Sequence, residues 1–290
     1  MRAHLAASAT RPPSGNCSTS REQAMTGLLR IATRGSQQAL RQAETAGALL
    51  AEGTGAKVEF VIVQTTGDQR QDVPLHQIGG QGVFVKEVQR AVLDGRADLA
   101  AHSAKDLPST AADGLDIAAF CERRSPWDVL VGRSLVDLPN GATVATGSVR
   151  RRAQLTLLRP DLRFVELRGN IQTRLSRIPD DGAIVMAEAA LQILGLDHRV
   201  ASRFTLDEMV PQAGQGCVAL ECRVDDERTR AALALLDHPP TRRCVEAERA
   251  FLATLGSGCS LPIGAYAEPD PAVPDGPVSL RTFVGVEGAV

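Results

Sequence analysis

The chain has 290 residues, enough for two or three domains that each bury a core of their own. With 43% hydrophobic and 23% charged residues it has the composition of an ordinary globular protein. A net charge of −2 argues against general nucleic-acid binding, so any function of the 32 Lys and Arg must come from clustering.

Residues 1–26 are rich in Ala, Ser, Arg and Pro, with Glu22 the only acid among the first 25. They lack the long apolar segment of a secretory signal, so a disordered extension is expected, with Met25 an alternative start. From Leu28 onward strand-like and helix-like runs alternate, the pattern of an α/β protein with a largely parallel sheet. Strands are predicted at Leu28–Thr33, Val58–Val63, Asp98–His102 and Leu115–Phe120. Helices are predicted from Ser36 to about Glu52 and over Val83–Leu93, the second after a Gly-rich loop, Gly79-Gly80-Gln81-Gly82. The charged, proline-ended stretch Glu122–Pro126 predicts a crossing between domains.

Beyond it the cycle restarts. Strands are predicted at Asp128–Val131, Ala142–Ala145, Phe164–Leu167 and Ala183–Ala187. The predicted helices are Val149–Leu158, Ile171–Ile178 and one ending at Gly195. Pro211–Gly216 predicts a second crossing and Cys217–Cys222 a strand. The expected architecture is two hinged α/β lobes, as in solute-binding proteins: 27–121 plus 217–234, and 127–210. A small α+β C-terminal domain, 239–290, would carry a helix over Thr241–Leu255, the turn Leu255–Gly264 and two strands. A sheet of two strands is expected to leave one edge and one face exposed.

Three strand-to-helix junctions share a design: Ala32–Ser36, Thr146–Arg152 and Leu167–Arg174. Each offers a capping residue (Ser36, Ser148, Asn170) where free backbone N–H groups and the positive end of a helix gather. Each also supplies arginines: Arg34, then Arg150 and Arg151, then Arg168 and Arg174. Any one junction alone reads as an ordinary cap with solvated arginines. Three at the carboxyl ends of strands, where open α/β sheets bind ligands, point to a small polyanion held by guanidinium forks. Asp106, with Lys105 and Ser103 in the turn of Ala101–Pro108, suits either stabilisation of a developing cation or simple turn formation.

Of six cysteines, Cys17, Cys121, Cys217, Cys222, Cys244 and Cys259, none forms a C-x-x-C pair. No metal site or redox motif is indicated, and a reduced, cytoplasmic setting fits best. No stretch approaches the ~20 apolar residues of a membrane span, so no membrane association is expected. Cys259 alone sits among small residues on a turn, L-G-S-G-C-S-L-P-I-G, open to attachment.

Together these stretches resemble the porphobilinogen deaminase (hydroxymethylbilane synthase) family of tetrapyrrole biosynthesis. The motifs occur in the family's order: R-I-A-T-R-G-S, G-G-x-G-V-F-V-K-E, H-S-x-K-D-L-P, S-V-R-R-x-x-Q-L, L-R-G-N-x-x-T-R-L, G-Q-G-x-V-x-L-E-C-R, A-E-R-A and G-C-S-L-P-I-G. The resemblance implies a monomeric transferase that condenses four porphobilinogen molecules, with loss of ammonia, into a linear tetrapyrrole. It implies a dipyrromethane cofactor joined to Cys259 by a thioether. Asp106 would hold pyrrole N–H groups and offset the charge that develops as ammonia leaves, with Lys105 assisting at the cofactor. Arg34, Arg150, Arg151, Arg168 and Arg174 would bind carboxylates, with Ser36, Ser103, Thr146 and Ser148 as neutral partners. Gln81 stands where the family often has lysine and Ile193 where arginine is common. Glu188 adds an acid, and Ala145-Thr146-Gly147-Ser148 replaces G-T-S-S. The alternative reading is a weak or inactive paralogue that binds porphobilinogen or other small polycarboxylates.

Overall fold

The opening run of Leu28 to Val63 shows how local sequence positions the later chemistry. Apolar Leu29, Ile31 and Ala32 bury β1 (Leu28–Arg34), and Ser36 then caps α1 (Gln37–Thr54) by accepting from the Ala39 N–H. Ala43, Ala46, Gly47, Leu50 and Thr54 recur at three- and four-residue spacing and form the buried face of α1. Gly55, at φ +70, closes the helix by donating to the Ala51 carbonyl. The chain returns as β2 (Lys57–Val63), parallel to β1 from Leu28↔Lys57 to Arg34↔Val63. The computed structural model describes residues 27–69, 82, 84–256, 261–270, 272–273 and 276–285. The expected N-terminal extension, most of the Gly-rich loop including Gln81, and Cys259 lie outside the described residues.

The first unit continues with α2 (Thr66–Gln69), α3 (Lys86–Leu93), β3 (Leu99–Ser103), a 3-10 turn over Ala104–Asp106, and β4 (Leu115–Phe120). The second holds β5 (Asp128–Gly132), β6 (Thr143–Ala145), α4 (Val149–Leu158), β7 (Arg163–Val165), α5 (Ile171–Leu175), β8 (Ala183–Ala187), α6 (Glu188–Gln192) and β9 (Val200–Arg203). After a second crossing come β10 (Val218–Arg223) and α7 (Glu227–Leu233), then α8 (Pro239–Thr254), β11 (Ile263–Pro269) and β12 (Val278–Val284).

Two five-stranded sheets have matching orders, β2-β1-β3-β10-β4 and β7-β6-β8-β5-β9. The expectation of largely parallel sheets is corrected. The strands that follow the crossings, β5 and β10, run antiparallel to both neighbours, so each sheet is mixed. Sequence period does not encode this, because a strand buried on both faces looks alike in either direction. The periodicity also missed β9, a four-residue half-exposed strand, and α7, whose start is polar and capped by Asp226.

The two lobes have separate cores. Leu29, Ile31, Leu50, Leu99, Leu220 and Leu233 fill one face of the first sheet. The second sheet is buried on both faces, by Ile184 and Met186 on one side and by Leu155, Val185 and Phe204 on the other. A further cluster joins Ala104, Leu107, Phe120 and Cys217 to Val245 of α8. It anchors the 3-10 turn by its apolar residues, leaving Lys105 and Asp106 half-buried between them.

The crossings themselves touch. The Arg124 N–H donates to the Gly216 carbonyl at 2.9 Å. Gly216, at φ +87, has no room for a Cβ, which would lie 2.6 Å from the Ser125 carbonyl. β11 and β12 form an antiparallel ribbon against α8, and the Ala265 N–H donates to the Pro211 carbonyl of the second crossing. Leu280 and Val284 of β12 are exposed.

Candidate active site

A crevice of about 500 Å³ opens between the lobes, within the usual range for small-molecule sites. Its walls are the strand-to-helix junctions. From the first lobe come Arg34, Ser36, Ser103, Lys105 and Asp106, and from the second Ser148, Arg151, Arg168, Asn170 and Arg174. All three capping residues act as predicted: Ser36 accepts from Ala39 N at 3.3 Å, Ser148 from Arg151 N at 3.4 Å and Asn170 from Thr173 N at 2.9 Å.

The cations are held in different ways. Arg34 lies over the Phe84 ring, 4.1 Å from its centroid. Arg174 donates through Nε to the Gly169 carbonyl at 2.8 Å. Arg168 keeps a buried Nη1 without a hydrogen-bond partner among the described residues. Arg151 is anchored on Asp128 by Nε at 2.9 Å and Nη2 at 2.7 Å, and donates through Nη1 to the Val185 carbonyl.

Thr146 and Arg150 do not line the crevice. Arg150 sits behind the wall, where it pairs with Asp128 at 2.8 Å and donates to the Val210 carbonyl at 2.7 Å. Thr146 is buried and accepts from the Ser148 N–H, shaping the loop from behind. Asp128, gripped by two arginines and by Gln215, has its carboxyl held far below the usual range despite burial.

The crevice crowds positive charge. Arg174 is pushed down to about 10 by burial and then by the Arg151 guanidinium. Arg168 and Arg34 add to the effect, and Asp106 opposes it. Lys105 falls to about 8, again through burial first and Arg151 second, with Asp106 and Asp128 opposing and Arg150 adding. Its ammonium donates to Gln215 Oε1 at 3.3 Å. Mutually repelling cations around one carboxylate suit a polyanion that also presents N–H groups. The donor set, with an orphaned Arg168 nitrogen, fits a dipyrromethane bearing several carboxylates.

Of the departures, Glu188 does not enter the crevice. It is buried at the first crossing, where it accepts from Ser125 Oγ and from Arg203. Ile193, just beyond α6, is not among the residues that line the crevice. Sequence reading missed Gln38, Gln42, Phe84 and Gln212, which do line it. Gln38 and Gln42 are one helical turn apart on α1, a spacing that marks one face. Ser103 Oγ donates to Gln42 Oε1 at 3.1 Å.

No helix among the described residues is long and apolar enough to cross a membrane. Among solved structures the chain is similar to the BvgS VFT2 domain of Bordetella pertussis, at 18% identity over 84% of this chain and 99% of that one, with a TM-score of 0.43. It is also similar to a periplasmic substrate-binding protein of an ABC transporter from Coxiella burnetii, at 15% identity over 77% and 95%, TM-score 0.44. A third is the methionine binding protein MetQ, at 14% identity over 80% and 96%, TM-score 0.45. Residues 29–231 match the family described as porphobilinogen deaminase, dipyromethane cofactor binding domain. Residues 242–288 match the porphobilinogen deaminase C-terminal domain. The first match alone covers more than half of the sequence, and the chain belongs to the porphobilinogen deaminase family.

Proposed function

We propose that the chain is a working porphobilinogen deaminase, which condenses four porphobilinogen molecules head to tail, losing one ammonia from each, and frees the linear tetrapyrrole from its primer by adding one water. The observation that carries this reading is the crevice itself. One carboxylate, Asp106, stands among Lys105, Arg34, Arg151, Arg168 and Arg174, drawn from both lobes. Acetate and propionate groups of the substrate match the guanidiniums, which bind carboxylates bidentately. Ser36, Ser103 and Ser148 add neutral hydrogen-bond partners.

Asp106 accepts the pyrrole N–H and offsets the positive charge that grows on porphobilinogen as its nitrogen departs. Preorganised charge of this kind is commonly worth 10²–10³ in rate, about 2.7–4 kcal/mol. Lys105 Nζ, lowered to about 8, can hold a carboxylate and exchange a proton near neutrality. Arg168 and Arg174 would hold carboxylates of the bound pyrroles, while Arg150 and Thr146 brace that wall from behind. Dipyrromethane, when bound, supplies a nucleophilic pyrrole α-carbon and a tether, and Cys259 is the attachment point assigned to it. The four described free thiols, Cys121, Cys217, Cys222 and Cys244, suit the reducing cytoplasm. A monomer suffices, because one chain supplies both walls.

The test is turnover of porphobilinogen by the purified chain, followed by ammonia release and by the absorbance of the oxidised tetrapyrrole. Steady turnover is expected. Tight binding of porphobilinogen with no ammonia released would instead establish the inactive paralogue.

A further inference from the structure

One fully buried side chain has no part in the chemistry above. Gln215 is 0% exposed and lies on the second crossing between Gly214 and Gly216, both in the left-handed region at φ +71 and +87. Its Oε1 accepts from Lys105 Nζ at 3.3 Å, on the first lobe. Its Nε2 donates to the Pro126 carbonyl at 2.7 Å and to Asp128 Oδ1 at 3.1 Å, where the second lobe begins. Asp128 Oδ1 in turn holds Arg151, which lines the opposite wall of the crevice. The amide orientation is fixed by chemistry. Reversed, it would set NH2 against an ammonium and oxygen against a carbonyl and a carboxylate.

A continuous path therefore runs Lys105–Gln215–Asp128–Arg151, from one wall of the crevice to the other through the hinge. Neighbouring contacts hold its ends. Arg123 Nε donates to the Gln215 carbonyl at 2.9 Å, and Gln212 Nε2 donates to the Lys105 carbonyl at 3.0 Å. Only a neutral group with one acceptor and two donors fits. A carboxylate at 215 would face both Asp128 and the Pro126 carbonyl, and an apolar residue would leave Lys105 and Asp128 each short of a partner.

We propose that Gln215 is a positioning residue that couples the two walls of the crevice, holding the Lys105 ammonium and the Asp128–Arg151 pair at a fixed separation across the hinge. What the walls bind rests on the function proposed above, but the coupling does not. The charged groups facing Lys105 are Arg150 and Arg151 of α4, Asp128 of β5 and Asp106 of its own turn. Gln215→Glu adds an acid to this set at hydrogen-bonding distance.

Lys105 is one of only three lysines, with Lys57 and Lys86, so its titration can be followed by NMR after reductive 13C-methylation, with Lys105→Arg giving the assignment. In the wild type the Lys105 signal titrates well below the ordinary lysine value of 10.5. Gln215→Glu raises its midpoint by more than one pH unit. In Gln215→Met, amide exchange across residues 123–128 speeds at least tenfold relative to the sheet cores. An unchanged Lys105 midpoint and unchanged hinge exchange in the folded variants would overturn the proposal. Should either substitution unfold the chain, the wild type decides. The Gln215 side-chain amide resonances must shift with the Lys105 midpoint, and an amide indifferent to that titration would equally overturn it. None of these readouts needs turnover, so an inactive wild type would sink the proposed function and leave this coupling standing.

Discussion

Asp106 and Asp128 show how the same residue type takes opposite roles. Asp106 is half-buried on a 3-10 turn and faces the crevice, whereas Asp128 is 1% exposed and paired with Arg150, Arg151 and Gln215. Asp106→Ala should therefore lower turnover at least 100-fold, in line with lost electrostatic stabilisation, and leave the circular dichroism spectrum and melting temperature nearly unchanged. Asp128→Asn should act on the fold itself. It leaves two buried guanidiniums without their counter-charge and should destabilise the fold by roughly 3–5 kcal/mol in chemical denaturation. Lys105 adds a pH dependence of stability. Its value of about 8 lies below the ordinary 10.5, so between those two limits the unfolded chain binds more protons than the native one. Stability from this group thus rises as pH climbs from 8 to 10.5, and below 8 its burial is a standing cost. Lys105→Met should flatten that rise, measured by thermal melts across the range. The caps Ser36, Ser148 and Asn170 were legible in the sequence because a cap bonds two or three residues along its own chain. The seat of Arg150 was not, because its partner Asp128 lies on another element and only the folded sheet brings them together.

At the scale of elements, α8 ties the third unit to the other two. Glu248 is fully buried and accepts from Arg123 Nη1 at 2.6 Å, from Gly214 N at 2.7 Å and from Ala267 N at 2.8 Å. Next to it, Arg249 donates to the Pro108 carbonyl at 2.7 Å, just beyond the turn that carries Asp106. One helix thus grips both crossings, its own strand β11 and the loop after the turn that carries Asp106. Glu248→Ala would strand the Arg123 guanidinium and two backbone N–H groups. A loss of roughly 3–5 kcal/mol is expected, with the melt broadened or split as the units uncouple, read by calorimetry. The sequence marked α8 and most strands within two residues, since apolar spacing and proline or glycine punctuation are local. It could not mark strand direction. β5 and β10 carry the same apolar runs as parallel strands, and only their entry from the crossings makes them antiparallel.

For the whole molecule, two lobes of matching strand order each contribute one wall of cations to a shared crevice, and neither wall alone would neutralise a chain of acetates and propionates. The motif order made the family legible, because the motifs are local strings that can be read without the fold. The sorting of the five arginines was not legible. Four line the crevice and one braces it from behind, a distinction that depends on the opposing lobe and hinge. On the proposed function, this crevice extends a pyrrole primer tethered to Cys259. The most direct measurement is the intact mass of the purified chain, before and after incubation with porphobilinogen. The expected chain is heavier than its polypeptide by two pyrrole units and gains further units with substrate, and Cys259→Ser shows a bare mass. A wild-type chain that stays at its bare polypeptide mass after incubation would contradict it.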